Sequence, residues 1–245
     1  MSARLTHESF ETRDGVALRF SRHATGSRAV ILVAPGIFMH RDSDEHRLLA
    51  TRLAELADVV RVDIRGHGDS GGAFSFGVEE PEDLAELAAR LRRDYDRVAG
   101  LGFSFGGYHT CVAAARHACF DAVALVGTPH RLFIFDHNFL TWGLARSLKP
   151  MVGRRRRLTR VAPRVLPRRP AASTLIARVA PRPLLIVHGA DDWLIPAKHA
   201  QRLFDRAGAP KTLVLIERGL HAENMLADEP EALLAPLTRF FRSIL

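Results

Sequence analysis

The chain has 245 residues, 47% of them hydrophobic and 25% charged, the proportions of an ordinary globular protein built around one large domain. These values exclude a collagen-like or wholly disordered chain. No apolar run reaches the roughly 18 residues of a bilayer span, and two cysteines, Cys111 and Cys119, are too few for a disulfide framework or a zinc cluster. The opening residues Met1 to Glu8 lack the apolar core of a signal peptide, so a cytoplasmic protein with no metal or other cofactor is expected. The net charge of +8 is unevenly spread. Between His130 and Arg182 there are 13 Lys+Arg against the single acid Asp136, while the rest of the chain holds 22 bases and 26 acids. A mildly acidic body thus carries a strongly basic insert.

In chain order, Phe10 to Phe20 reads as a hairpin, with Asp14-Gly15 supplying the positive φ angles of a tight turn. Ala29 to Ala34 is a short apolar run ending at Pro35-Gly36 and predicts a buried strand. A helix is predicted over 43–56, with Leu49, Leu53 and Leu56 on one face, then a strand over 59–64. The apolar spacing of Leu84, Leu87 and Leu91 predicts a helix over 81–95, and Pro81 suits its first turn. A strand at 98–103, a helix at 106–117 and a strand at 122–126 follow. After the insert come a strand at 184–188, a helix at 197–207, a strand at 212–217 and a closing helix at 230–245. Such alternation implies an α/β fold with a mostly parallel sheet covered on both faces. The insert reads differently, as short helices and loops interrupted by Pro163, Pro167 and Pro170.

Gly102-Phe103-Ser104-Phe105-Gly106 sits between a predicted strand and a predicted helix, the setting that a G-x-S-x-G turn requires. Small residues two positions either side let the chain turn sharply, so that the serine hydroxyl stands at the strand end. A serine alone is a weak nucleophile; it needs a base to take its proton and an acid to orient that base. Two later strands end in suitable loops. One is His188-Gly189-Ala190-Asp191-Asp192-Trp193-Leu194-Ile195-Pro196 and the other Gly219-Leu220-His221. An open α/β sheet gathers its site at such strand ends.

Four motifs in order therefore stand out: Gly36-Ile37-Phe38 after the third strand, Asp63 to Ser70 after the fourth, the serine turn, and the acid and histidine loops. Over essentially its whole length the chain resembles the α/β-hydrolase-fold serine hydrolases, the group of esterases, lipases, thioesterases and peptidases that carry a lid insertion. The resemblance implies a core domain of residues 1–129 and 183–245 with a cap over 130–182. It implies Ser104 as nucleophile, His221 as general base and Asp192 as the acid, since His188, Gly189, Asp192, Ile195 and Pro196 fit the family's spacing; Asp191 is the alternative acid. It also implies an oxyanion hole from the backbone N–H groups of Ile37 and Phe105, each such donor worth about 3 kcal/mol. Pro35 stands where relatives often have histidine, and Leu220 where a glycine commonly precedes the base.

The implied activity is cleavage of a small-molecule carboxylic ester or thioester through an acyl-enzyme. The alternatives are an acyltransferase using the same three residues, and a non-catalytic or membrane-surface binding protein that keeps the fold. Phe38, Phe133, Phe135, Phe139 and Trp142 are candidates to line an acyl pocket. The arginines of the insert, including the run Arg154 to Arg157, suit a weak contact with an anionic membrane surface or simply a solvated lid face. No nucleic-acid-binding motif is present, so no nucleic-acid partner is expected. His67 reads as a structural turn residue, His188 as a hydrogen-bonded core histidine, His40 and His109 as incidental neighbours of the site, and Cys111 as a small core residue.

Overall fold

The apolar run at 29–34 becomes β3 (Ala29–Ala34), all six residues of which are buried. In a computed structural model of the chain, which describes residues 3–132, 159–162 and 169–245, this strand lies inside an eight-stranded sheet. The other strands are β1 (Arg4–Glu11), β2 (Ala17–Ala24), β4 (Asp58–Val62), β5 (Arg97–Phe103), β6 (Ala122–Val126), β7 (Leu184–Gly189) and β8 (Lys211–Ile216). Their order across the sheet is β1-β2-β4-β3-β5-β6-β7-β8. The β1–β2 and β2–β4 pairs are antiparallel and every later pair is parallel.

Period-two alternation divides the apolar strand residues between two cores. Val30, Leu32, Val98, Val123, Leu125 and Ile186 face one side. There they meet α2 (Glu80–Leu91), α3 (Phe105–His117) and α5 (Lys198–Arg206). Ile31, Val33, Leu101, Phe103, Val126 and Val187 face the other. That side is covered by α1 (Asp44–Leu53), α6 (Asn224–Asp228) and α7 (Pro230–Arg242). Between α3 and α5 lie the four-residue α4 (Ala172–Leu175) and a 3₁₀ turn (Ile176–Val179), whose Ala172, Ile176 and Val179 pack into the first core.

The hairpin differs from its expected form. Its strands extend to Arg4 and Ala24, and the connection spans residues 12–16 rather than two residues. Thr12 N–H donates to Val16 O (3.0 Å) and Gly15 N–H to Thr12 O (2.9 Å), with φ of +79° at Gly15 and no positive φ at Asp14. Asp14 accepts from the Thr12 hydroxyl (2.5 Å) and from the Arg65 guanidinium (2.9 Å), and the Thr12 hydroxyl accepts from Val16 N–H (3.0 Å), so a threonine within the loop and a tertiary partner together hold the wider turn. The helix expected to reach residue 95 stops at Leu91; a tighter turn carries the chain on to Tyr95, whose hydroxyl donates to Asp58 Oδ2 (2.6 Å). The helix expected over 43–56 spans Asp44–Leu53, with the Ser43 hydroxyl accepting at its N-terminus from His46 N–H.

The chain steps outward from β3 to β4 and then returns to place β5 on the other side of β3. The sheet therefore has its switch point between β3 and β5, where the loops leaving the two C-terminal ends part in opposite directions and leave a crevice.

Candidate active site

Ser104 occupies this crevice at the junction of β5 and α3, with φ 49° and ψ −117°. A side chain held there is strained by roughly 1–3 kcal/mol, and the surroundings over-determine it. Ser104 N–H donates to Val126 O (2.8 Å) on the neighbouring strand. A Cβ at residue 102 would come within 2.5 Å of Gly106 O, and one at residue 106 would overlap the carbonyl oxygens of Ala34 and Pro35. The two glycines thus let the strand and helix close on one another, and the turn seats Ser104 just ahead of the α3 N-terminus, where the helix dipole favours developing negative charge.

His221 lies in the loop between β8 and α6, and Asp192 in the loop after β7. His221 Nδ1 is 2.7 Å from Asp192 Oδ2, and His221 Nε2 is 2.9 Å from Ser104 Oγ. Asp192 accepts, so Nδ1 carries a hydrogen; in the neutral ring Nε2 is then free to accept the serine proton. All three side chains are buried. The Asp192 carboxylate is further held by the N–H groups of Leu194 (3.0 Å) and Ile195 (2.8 Å), both donating to Oδ1. Burial alone would push the Asp192 carboxyl up, but His221 and His188 outweigh it and keep the group well below the usual carboxylate range. Burial likewise opposes charge on His221, yet Asp192, with Glu223 behind it, leaves its pKa above the ordinary imidazole value. The adjacent Asp191 is exposed, and its N–H donates to Gly219 O (3.0 Å); the structure brings Asp192, not Asp191, to the histidine.

Ile37 lies on the loop after β3 and Phe105 is the first residue of α3, directly after Ser104; both are half-buried. Neither backbone N–H donates a hydrogen bond among the described residues. Phe38 is 40% exposed with φ 67°, at the outer side of the loop after β3. The four other pocket candidates, Phe133, Phe135, Phe139 and Trp142, lie outside the described residues, as does the run Arg154 to Arg157. Among the described residues no cluster of metal-ligating side chains occurs, and no helix is long and apolar enough to cross a membrane.

His188 Nε2 donates to Ile195 O (2.6 Å) and lies 3.3 Å from Asp192 Oδ2, so this core histidine also braces the acid loop. His67 bonds Arg65 O through Nδ1 (3.1 Å) and packs edge-on against Phe74. His109 is wholly buried on α3, and burial pushes its pKa down to about 3. His40 is half-buried and lowered by the same cause. Cys111 is a buried free thiol that burial pushes up to about 12, which leaves it a core residue without thiolate character.

Glu223 and His46 also stand at the site, although no sequence motif marks them. Glu223 is buried two residues beyond His221, and its Oε1 accepts from Gly36 N–H (2.7 Å) and lies 3.4 Å from His46 Nε2. The sequence offers one signal, an acid two residues after the candidate base. Its partners are 187 and 177 positions away in the chain, so no local pattern names them.

A profile of the Alpha/beta hydrolase family matches residues 30–236. The chain belongs to this family. Among relatives of this α/β hydrolase, the YfhR protein of Escherichia coli (strain K12), itself described as uncharacterized, is 29% identical over 170 residues. That match takes in 68% of this chain and only 54%, about half, of the relative. The YfhR protein of Salmonella typhimurium is 29% identical over 231 residues, with 88% of this chain and 74% of the relative covered. Among solved structures, the α/β hydrolase GrgF from Penicillium sp. sh18 superposes with a TM-score of 0.83 at 17% identity, covering 98% of this chain and 99% of that one. The Pyrococcus furiosus esterase Pf2001 superposes with a TM-score of 0.79 at 19% identity, covering 99% and 92%. At these identities the superpositions speak for the fold.

Proposed function

We propose that this α/β hydrolase is a serine hydrolase that cleaves a carboxylic ester or thioester through an acyl-enzyme. The observation that carries the reading is the unbroken hydrogen-bonded line from Ser104 Oγ through His221 to Asp192, at 2.9 and 2.7 Å. The Pyrococcus neighbour is an esterase, which agrees with it in reaction class. Ser104 Oγ attacks the carbonyl carbon while its proton passes to His221 Nε2, and Asp192 stabilises the imidazolium so formed. The tetrahedral oxyanion is met by the N–H groups of Ile37 and Phe105. His221 then returns the proton to the departing alcohol or thiol, leaving an acyl ester on Ser104. Water enters, gives a proton to the same Nε2 and attacks the acyl carbon; the bond to Ser104 Oγ then breaks, His221 returns that proton to Oγ, and the acid is released with the serine hydroxyl restored.

The same proposal takes residues 130–182 as a cap on the site. Support comes from the described parts of that span. Phe74 N–H donates to Arg160 O (2.7 Å) and Arg160 N–H to Gly66 O (2.8 Å), while Tyr108, four residues past Ser104, donates its hydroxyl proton to Pro170 O (2.9 Å). The insert is thus tied to the loop after β4 and to the helix that begins at the serine.

A fluorophosphonate probe tests the central claim. The folded wild-type chain should be labelled at Ser104, and an activated short-chain ester should give a burst followed by slower turnover. Ser104→Ala should lose both; full turnover in that variant would remove Ser104 from the mechanism.

A further inference from the structure

The site contains a buried carboxylate that the reaction above does not use. Glu223 accepts from Gly36 N–H at 2.7 Å, and His46 on α1 stands 3.4 Å from the same oxygen. The packing is tight, because a Cβ on residue 36 would lie 2.9 Å from Glu223 Oε1, 3.2 Å from Oε2 and 3.3 Å from Ser104 Cβ. His46 is in turn fixed by an edge-on contact with Phe103, the residue before the serine (centroids 5.2 Å apart, 89° between planes). Glu223 itself is set by the backbone, its carbonyl accepting from Leu226 N–H (3.0 Å) as α6 begins. Burial would push its carboxyl up; His46, the Gly36 N–H and His221 hold it below the ordinary range instead. A carboxylate withdrawn from water in this way is retained only with such partners.

The bond falls where the expected oxyanion donor is built. Gly36 O accepts from Met39 N–H (3.2 Å), closing a turn over 36–39 with φ 67° at Phe38. Gly36 O and the Ile37 N–H belong to one planar trans peptide and point in opposite directions. The turn bond therefore fixes one end of that peptide plane, and the Glu223 bond fixes the residue from which the plane pivots.

We propose that Glu223, braced by His46, is a positioning residue: by holding Gly36 N–H it sets the peptide that carries the Ile37 N–H beside Ser104. It sets this peptide through reach rather than through its charge. This inference rests on the serine-hydrolase reading and deepens it.

Three variants separate the alternatives. Glu223→Gln keeps an acceptor at full length. Glu223→Asp keeps the charge but withdraws it by one methylene, and Glu223→Ala removes both. With an activated ester, Glu223→Gln should keep kcat within about threefold, while Glu223→Asp and Glu223→Ala lose about 10²-fold in kcat with KM nearly unchanged, the loss expected for one misplaced oxyanion donor. Circular dichroism and thermal melts report folding. If the alanine variant does not fold, the Gln–Asp comparison decides. Full kcat in Glu223→Asp, or a larger loss in Glu223→Gln than in Glu223→Asp, would overturn the proposal. Fluorophosphonate labelling of the wild type is run alongside: an unlabelled wild type sinks the serine-hydrolase reading, whereas a labelled wild type with an unaffected Glu223→Asp variant sinks the role of Glu223 alone.

Discussion

Two buried aspartates at strand ends, Asp63 after β4 and Asp192 after β7, do different things with the same functional group. Asp63 accepts from the N–H groups of Arg41 (2.8 Å) and Asp69 (2.9 Å) and pairs with the Arg41 guanidinium. The Ser70 hydroxyl donates to Asp63 O (2.6 Å) and accepts from Arg19 N–H (2.8 Å), so the whole 63–70 motif is tied to β2 and to the loop after β3. Burial outweighs these partners, and the Asp63 carboxyl is raised. Asp192 is equally buried, but two imidazoles face it and its carboxyl is lowered. The difference lies in what the partner can do. A guanidinium stays protonated and ends the line at Asp63, whereas the imidazole of His221 has a second nitrogen, 2.9 Å from the Ser104 hydroxyl, that can take up a proton. A buried carboxylate is thus a brace or part of a proton path according to its neighbour.

The largest way to break this comparison is Asp192→Asn. It should lower kcat by about 10⁴-fold with the fold intact, because the amide no longer holds the tautomer in which Nε2 accepts. Steady-state kinetics with an activated ester reads this, and a loss below tenfold would separate Asp192 from the reaction. Asp63→Ala is the counterpart. It leaves the N–H groups of Arg41 and Asp69 without their acceptor, while the Arg41 guanidinium keeps Asp69 (2.9 Å), and should cost about 2 kcal/mol of stability, read by urea unfolding. The molecules that stay folded should react at close to the wild-type rate.

A smaller effect concerns pH. The base must be neutral to act, and the His221 pKa is raised above its ordinary value. Activity should therefore fall as pH drops through a point above about 6.5, the unperturbed imidazole value. Asp192 and Glu223 are the charged groups that raise it, so Glu223→Gln should move the acid limb of kcat/KM to lower pH. An acid limb at or below 6.5 in the wild type would contradict the geometry. The smallest effect belongs to Asp191→Asn. This exposed neighbour uses its backbone, not its carboxylate, toward Gly219, and kcat should stay within about twofold.

Much of the sheet is legible because strands buried on both faces tend to be short, uninterrupted apolar runs, as at Ala29–Ala34 and Ala122–Val126. The turn at Ser104 was legible for a related reason. A helix that starts directly off a strand needs glycines where the backbones touch, and residues 102 and 106 supply them. The hairpin turn is wider than Asp14-Gly15 suggests because the Thr12 hydroxyl bonds Asp14 and Val16 across it and Arg65, 51 positions away, adds a further partner to Asp14. The short helix Asn224–Asp228 escaped notice because five residues are too few to show a helical period.

Local chemistry along the chain determined the alternation of elements, the two-faced core and the sharp turn that presents a serine, since each depends on residues close in sequence. The family spacing already pointed to Asp192; the tertiary structure is what lays its carboxylate 2.7 Å from His221, and only it joined Glu223 and His46 to Gly36. The reason is physical: burial, charge partners and hydrogen-bond reach are properties of groups brought together from distant segments, and a chain read one residue after another does not contain those distances.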